Sequence, residues 1–149
     1  MKKQFLILTL SGTLLLGACS ANPNMRDCSL FSCQRESCQT EKTPAYFAFD
    51  SSLLSMEDKE NLDEIAMRMK NNPDEKIIIK GFADDVGPNA NNKDLSERRA
   101  ESAAKYLESQ GISPNRITAR GYGATHFAES NATPAGRAKN RRIEVSFFE

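Results

Sequence analysis

The amino-acid sequence predicts an α/β two-layer sandwich: a mixed sheet of about four strands with two main helices on one face. Three observations predict it. Three consecutive isoleucines, Ile77 to Ile79, sit between Lys76 and Lys80 and read as a strand buried on both faces. Arg142 to Phe148 sets Ile143, Val145 and Phe147 against Arg142, Glu144 and Ser146, the period-two pattern of a strand with one wet face. Between the strand candidates, two longer stretches space their apolar residues three and four apart, as helices with one buried face do. Helices that separate strands along the chain must pack back on the sheet, so the layers follow from the order.

Ala45 to Phe49 makes the first strand, with Tyr46, Phe47 and Phe49 supplying aromatic surface. Asp50 leads into Ser51-Ser52, and a helix from Glu57 to Lys70 follows. Ser55 is its cap, Leu62, Ile65, Ala66 and Met69 share a face, and Asn71-Asn72-Pro73 ends it. After the isoleucine strand comes a polar loop with the turn formers Gly87, Pro88 and Asn89. The second helix is expected to begin at Asp94, whose carboxylate can accept from the first backbone N–H groups, with Glu97 completing a variant of the capping box. Gly111 suits the position just past its end, and Pro114 prevents continuation. Ile117 to Tyr122 reads as a third strand. Ala124 to Gly136 reads as a loop holding the only histidine, His126, in a surface or packing role.

With 149 residues and 39% hydrophobic content, the chain suits one small domain, 45–149, plus a short appendage. Formal net charge is zero and no basic run exceeds Arg98-Arg99 or Arg141-Arg142, which argues against nucleic acid as a partner. Residues 1–18 have the build of an export leader: basic Lys2-Lys3, an apolar run from Phe5 to Leu16, then Gly17-Ala18 before Cys19. From Ser20 to Pro44 large apolar residues are few and no period persists, so the stretch reads as a flexible tether. Fully extended, it would reach ~80–90 Å. Its Cys28, Cys33 and Cys38 are spaced C-x4-C-x4-C. In an oxidising compartment three thiols leave at least one over after any intramolecular pairing, so a disulfide-linked dimer or a bond to another exported protein is open to it. With no C-x-x-C pair and no histidine nearby, neither a metal nor a cofactor is expected.

On a helical wheel, Leu95, Ser96, Arg99, Ala100, Ala103, Ala104, Tyr106 and Leu107 share the inward half of the second helix, and Arg99 is the only charge among them. A guanidinium keeps its proton, so burying it requires an anionic or carbonyl partner. Two readings stand. Arg99 pairs internally, with Asp84, Glu144 or a carbonyl, and only shapes the fold. Alternatively, Arg99 and a carboxylate of the preceding loop, Asp84 or Asp85, share a cleft and grip a ligand carrying both an ammonium and a carboxylate. An amino acid is such a ligand.

Four motifs carry a resemblance: G-F-A-D at Gly81 to Asp84, N-x-x-L-S-x-x-R-A at Asn92 to Ala100, G-Y-G at Gly121 to Gly123, and N-x-T-x-x-G-R-x-x-N-R-R-I-E from Asn131 to Glu144. In this order and spacing they closely resemble the OmpA-like peptidoglycan-associating domain, over about Tyr46 to Phe148. The family includes peptidoglycan-associated lipoproteins, the periplasmic domain of OmpA porins and flagellar stator subunits. The resemblance implies the same two-layer fold and a non-covalent grip on the diaminopimelate residue in the stem peptide of peptidoglycan. Carried over, Asp84 receives the ammonium of the amino-acid centre and Arg99 its carboxylate, through two parallel bonds, while Phe49, Asp50, Asn92 and Leu95 line the pocket. Asn140, Arg141 and Arg142 are expected to brace the sheet and loops. The family usually has His, Tyr or Asn where this chain has Phe82, so the resemblance implies the loss of a polar group near the site.

The sequence L-G-A-C at Leu16 to Cys19 is similar to a bacterial lipobox, in which cleavage before the cysteine leaves a lipid-carrying N-terminus. Several acyl chains anchor stably where one does not. Ser20 follows Cys19, and in this class a residue other than Asp there marks export to the outer membrane. The resemblance thus implies a palmitate-bearing outer-membrane lipoprotein, its domain facing the periplasm, that tethers the membrane to the wall. A second reading keeps the wall-binding domain but makes the chain a subunit of an envelope-spanning secretion or conjugation machine, with envelope proteins as partners. Catalysis is not expected: adjacent carboxylates such as Asp84 and Asp85 seldom face one cleft, and the cysteines lie in the tether, apart from His126.

Overall fold

The computed structural model describes residues 42–148. The expected leader, the expected lipobox with Cys19, and Cys28, Cys33 and Cys38 of the expected tether lie outside them. Four strands, β1 (Lys42–Tyr46), β2 (Lys76–Gly81), β3 (Ile117–Gly121) and β4 (Arg142–Phe148), form one sheet in the order β1-β4-β2-β3. β2 and β3 run parallel, and β4 is antiparallel to both β1 and β2. A parallel pair needs a crossover, which α2 (Asn89–Ser109) supplies between β2 and β3. Helix α1 (Met56–Asn71) joins β1 to β2, and a short α3 (Pro134–Asn140) precedes β4. The mixed four-stranded sheet with its helical layer is the α+β architecture the pattern predicts.

The core is the meeting of one sheet face with the two long helices. Ile77, Ile79, Ile143, Val145 and Phe147 from the strands pack with Leu62, Ile65, Ala66 and Met69 of α1 and Ala100, Ala103, Ala104 and Leu107 of α2. Each large apolar side chain so buried contributes ~1.5–3 kcal/mol. Ile78 is only half-buried, which corrects the expectation that β2 is covered on both faces. The register explains it: Ile78 lies beside Ser146 and Thr118, and Lys80 beside Glu144 and Arg120, so the second face of the sheet is polar.

Helix α1 begins where the sequence places it. Ser55 Oγ accepts from the Asp58 N–H at 3.1 Å while Asp58 Oδ2 accepts from the Ser55 N–H at 2.8 Å, a complete capping box. Asp58 Oδ1 also accepts from the Tyr46 N–H at 3.2 Å, tying the helix start to β1. Ser55→Ala is expected to cost about 1 kcal/mol and lower Tm by about 4–8 °C in a thermal melt. A melt unchanged from the parent would mean that the cap carries no weight.

Helix α2 starts at Asn89, not at Asp94. Pro88 is its N-cap without a side-chain hydrogen bond, Asp94 is exposed within the helix, and Glu97 instead accepts from the Gly121 N–H at 2.9 Å. Pro88 has its φ locked at −66°, and its carbonyl accepts from the Asn92 N–H at 3.1 Å, so proline chemistry replaces the carboxylate cap. The inward face is as predicted, with Tyr106 half-buried and its hydroxyl donating to Asp63 of α1 at 2.8 Å.

Further boundaries move. β1 begins at Lys42, inside the stretch expected to be tether up to Pro44, because Lys42 pairs beside Val145 of β4. It ends at Tyr46, before the expected Phe49. Past Phe47, whose N–H still donates to the Arg141 carbonyl at 2.8 Å, the backbone serves a buried guanidinium, the Ala48 carbonyl accepting from Arg99 Nη2 at 3.2 Å. The expected loop from Ala124 to Gly136 gives way to α3, capped by Thr133 Oγ1 accepting from the Gly136 N–H at 3.0 Å. A β-carbon on Gly136 would stand 1.9 Å from the Ser130 carbonyl oxygen, a contact only glycine allows.

Candidate functional site

Backbone contact between β2 and α2 sets the site. A β-carbon on Gly81 would lie 2.0 Å from the Ser96 carbonyl oxygen, so the strand end and the helix touch main chain to main chain. Beyond Gly81 the segment stays fixed: the Phe82 N–H donates to the Arg142 carbonyl and the Ala83 N–H to the Gly123 carbonyl, both at 2.9 Å. Asp84 is thereby held, 4% exposed, beside the face of α2 that carries Asn92, Leu95 and Arg99.

A cavity of about 310 Å³ opens there. Phe49, Asp50, Asp84, Asn92, Leu95 and Arg99, the six residues singled out from the sequence, all line it. Val86, Asp94, Arg98 and Arg141 line it too, so three carboxylates face three guanidiniums. Asp50 adopts a positive φ of 49°, a conformation Asp tolerates better than most residues, and Phe49 beside it is 64% exposed.

Arg99 forms the floor, with no exposed surface. Its Nε donates to the Ser51 carbonyl at 2.9 Å, Nη1 to the Phe82 carbonyl at 2.9 Å and Nη2 to the Ala48 carbonyl at 3.2 Å. Of the internal partners considered, the carbonyls are the ones found, and Glu144 pairs with Arg142 instead. Three acceptors engage three of the five N–H groups, leaving one hydrogen on each Nη nitrogen. Burial first, then the neighbouring Arg141, pushes the Arg99 guanidinium down from its ordinary value to about 10, against the pull of Asp84 and Asp50. Its charge is therefore under-compensated, and an anion brought to it would be welcome.

Asp84 does not pair with Arg99. Its Oδ2 accepts from Arg141 Nη1 at 3.0 Å and its Oδ1 from the Val86 N–H at 3.3 Å. Arg141, read from the sequence only as a brace, does brace, through Nε to the Phe47 carbonyl at 2.9 Å, but it also lines the cavity. Asn140 and Arg142 hold loops: Asn140 bonds both the N–H and the carbonyl of Glu129, and Arg142 donates to the His126 carbonyl. The Phe82 ring lies outside this cavity, stacked on Tyr122, so the residue bears on the site through its carbonyl alone. Asp85 is exposed while Asp84 is buried, and the two carboxylates do not form a pair in the cavity.

One buried donor in the cavity lining is left over. Asn92 is 4% exposed, and its Nδ2 has no hydrogen-bond partner among the described residues. Such an orphan costs ~1–3 kcal/mol unless something completes it.

The OmpA family model matches residues 46–141. The chain is 45% identical over 100 residues to outer membrane protein A of Bordetella avium, covering 67% of this chain and 52% of that protein. It is 39% identical over 102 residues to the peptidoglycan-binding protein ArfA of Mycobacterium tuberculosis, covering 68% of this chain and 31% of that one. The chain thus spans about half, or less, of the length of these curated relatives. Among solved structures, it superposes on the peptidoglycan-associated lipoprotein of Burkholderia pseudomallei with a TM-score of 0.67 and 27% identity, over 68% of this chain and 86% of that one. With the family model matched across most of the folded residues and the same sheet and helices in a solved relative, the chain belongs to the OmpA family.

Proposed function

We propose that this chain is a lipid-anchored outer-membrane protein whose folded domain grips the diaminopimelate centre of a peptidoglycan stem peptide without a covalent bond, so tethering membrane to wall. The observation that carries the reading is the cavity itself: Asp50, Asp84 and Asp94 face Arg98, Arg99 and Arg141 around an amide donor, Asn92 Nδ2, without a partner among the described residues. A balanced set of opposite charges suits a zwitterion better than a simple cation or anion.

Asp84, with its remaining lone pairs, and Asp50 take the ammonium. The two unspent N–H groups of Arg99 and Asn92 Nδ2 take the carboxylate, and Phe49 and Val86 at the exposed rim cover the aliphatic stem. The mycobacterial relative is named for peptidoglycan binding and the Burkholderia protein for peptidoglycan association, which supports the ligand class. The L-G-A-C sequence supports the anchor, and weak single contacts suffice for a tether because anchored domains rebind among many identical stems. A buried Asp84 already paired with Arg141 suits holding charge rather than shuttling protons, so the domain is read as a binder and not an enzyme.

Sedimentation with purified sacculi tests the reading. The parent is expected to pellet with diaminopimelate-containing sacculi and to bind about tenfold or more weakly to sacculi with lysine in that position, which lacks the second carboxylate. Asp84→Asn, which keeps volume and removes charge, is expected to stay in solution with both. Equal pelleting of the parent on the two wall types would end the diaminopimelate assignment.

A further inference from the structure

The roles given above to the cavity lining leave three polar side chains of α2 unassigned: Asn91, Asp94 and Arg98. Helical spacing sorts the lining residues of α2 into two rows. Asn92, Leu95 and Arg99, three and then four positions apart, form an inner row and are buried. Asn91, Asp94 and Arg98 repeat that spacing one position earlier, and all three are exposed. The inner row sets an amide and a guanidinium beside the Asp84 carboxylate. The outer row carries an amide, a carboxylate and a guanidinium of its own.

This outer row is open. Asp94 and Arg98 stand four apart with the acid first, the order that favours an ion pair along a helix. The same spacing elsewhere on α2 brings Lys93 Nζ within 3.9 Å of Glu97 Oε2 and Lys105 Nζ within 3.6 Å of Glu101 Oε2. Asp94 and Arg98 do not close in this way, and among the described residues no hydrogen bond or ion pair engages the side chain of either, or of Asn91. An exposed pair is worth little, so leaving it open costs little and keeps both groups for a guest. Arg98 also adds to the positive field that lowers the Arg99 guanidinium, so an anion beside it relieves two cations at once.

The chemistry of the row selects what it can hold. A guanidinium takes a carboxylate through two parallel bonds, while a carboxylate and an amide next to it satisfy peptide N–H and C=O groups. The matching guest is a peptide with a second carboxylate outside the amino-acid centre held by Asp84 and Arg99. A wall stem offers two. The residue before diaminopimelate is a glutamate joined through its side chain, whose α-carboxylate stays free unless amidated, and the stem itself ends in a carboxylate.

We propose that Asn91, Asp94 and Arg98 form a second subsite, in which Arg98 binds a further carboxylate of the stem and makes the domain sensitive to amidation of the wall peptide. The identity of the guest rests on the peptidoglycan reading above. The inner row then selects the amino-acid centre, and the outer row selects the charge state of the peptide around it.

The test is calorimetric titration of the full chain with the stem tetrapeptide alanyl-γ-glutamyl-diaminopimelyl-alanine in three forms: unmodified, amidated at the glutamate α-carboxylate, and amidated at the C-terminus. At least one amidation is expected to weaken binding by the parent about threefold to fivefold, the modest size reflecting the exposure of Arg98, and the form affected names the carboxylate. Arg98→Gln should bind the unmodified peptide more weakly by that same factor and no longer distinguish it from the affected amide, with Arg98→Lys in between. Equal binding of all three forms by the parent, or discrimination that survives in Arg98→Gln, would overturn the subsite. Asp84→Asn separates this from the reading beneath it, since it should weaken all three forms about tenfold or more. Binding that ignores Asp84→Asn would count against the amino-acid centre alone, and discrimination that depends on Arg98 would still uphold the subsite.

Discussion

Arg99→Ala is expected to lose about 3–5 kcal/mol of folding stability together with all measurable wall binding. The guanidinium is fully buried and bonded to the carbonyls of Ala48, Ser51 and Phe82, so its removal orphans three acceptors and empties a large side-chain volume. Against a total stability of ~5–15 kcal/mol, this is a severe loss. Arg99→Lys should recover part of the stability and little of the binding. An ammonium has only three donors and lacks the planar fork that serves the carbonyls and a ligand together. Urea melts read the first effect and sacculus sedimentation the second. A parent-like midpoint for Arg99→Ala would show that the carbonyl bracket does not support the fold. Asp84→Asn is the cleaner probe of the ligand, since it preserves the shape of the cavity.

Gly81→Ala is expected to be at least as damaging, although it adds one carbon. The new β-carbon would meet the Ser96 carbonyl oxygen at 2.0 Å and the Ala100 nitrogen at 3.3 Å, both main-chain atoms of α2, so no side chain can rotate away. Overpacking commonly costs ~1–3 kcal/mol, and a backbone-to-backbone clash belongs at or above the top of that range. Pushing α2 off β2 also parts Asp84 from Arg99. Soluble Gly81→Ala protein with a parent-like melting profile and unchanged sacculus binding would show that the helix can shift without cost, against the close contact described.

Much of this was legible because periodicity reports burial directly. The alternation from Arg142 to Phe148 is a strand over those same residues, and the wheel for α2 isolates Arg99 on the buried face. Ser55 and Asp58 are three positions apart, so their reciprocal cap lies within the reach of local reasoning. What escaped was set by tertiary contact. Asp94 resembles a cap in isolation, yet α2 begins five residues earlier, where Asn92 can enter the cavity wall. Gly136 looks like a helix breaker until the Ser130 carbonyl is seen pressed against it. The Asp84–Arg141 pair spans 57 positions, and its only sequence trace was the Arg141-Arg142 pair entering β4.

Arg99 springs from α2 and clasps the backbone at the end of β2 and at two points between β1 and α1. A guest seated on that guanidinium would pass tension into helix, sheet and connector at the same instant. If the domain tethers as proposed above, a load taken there would be shared among three parts of the fold, like a keyed joint, and not carried by one edge.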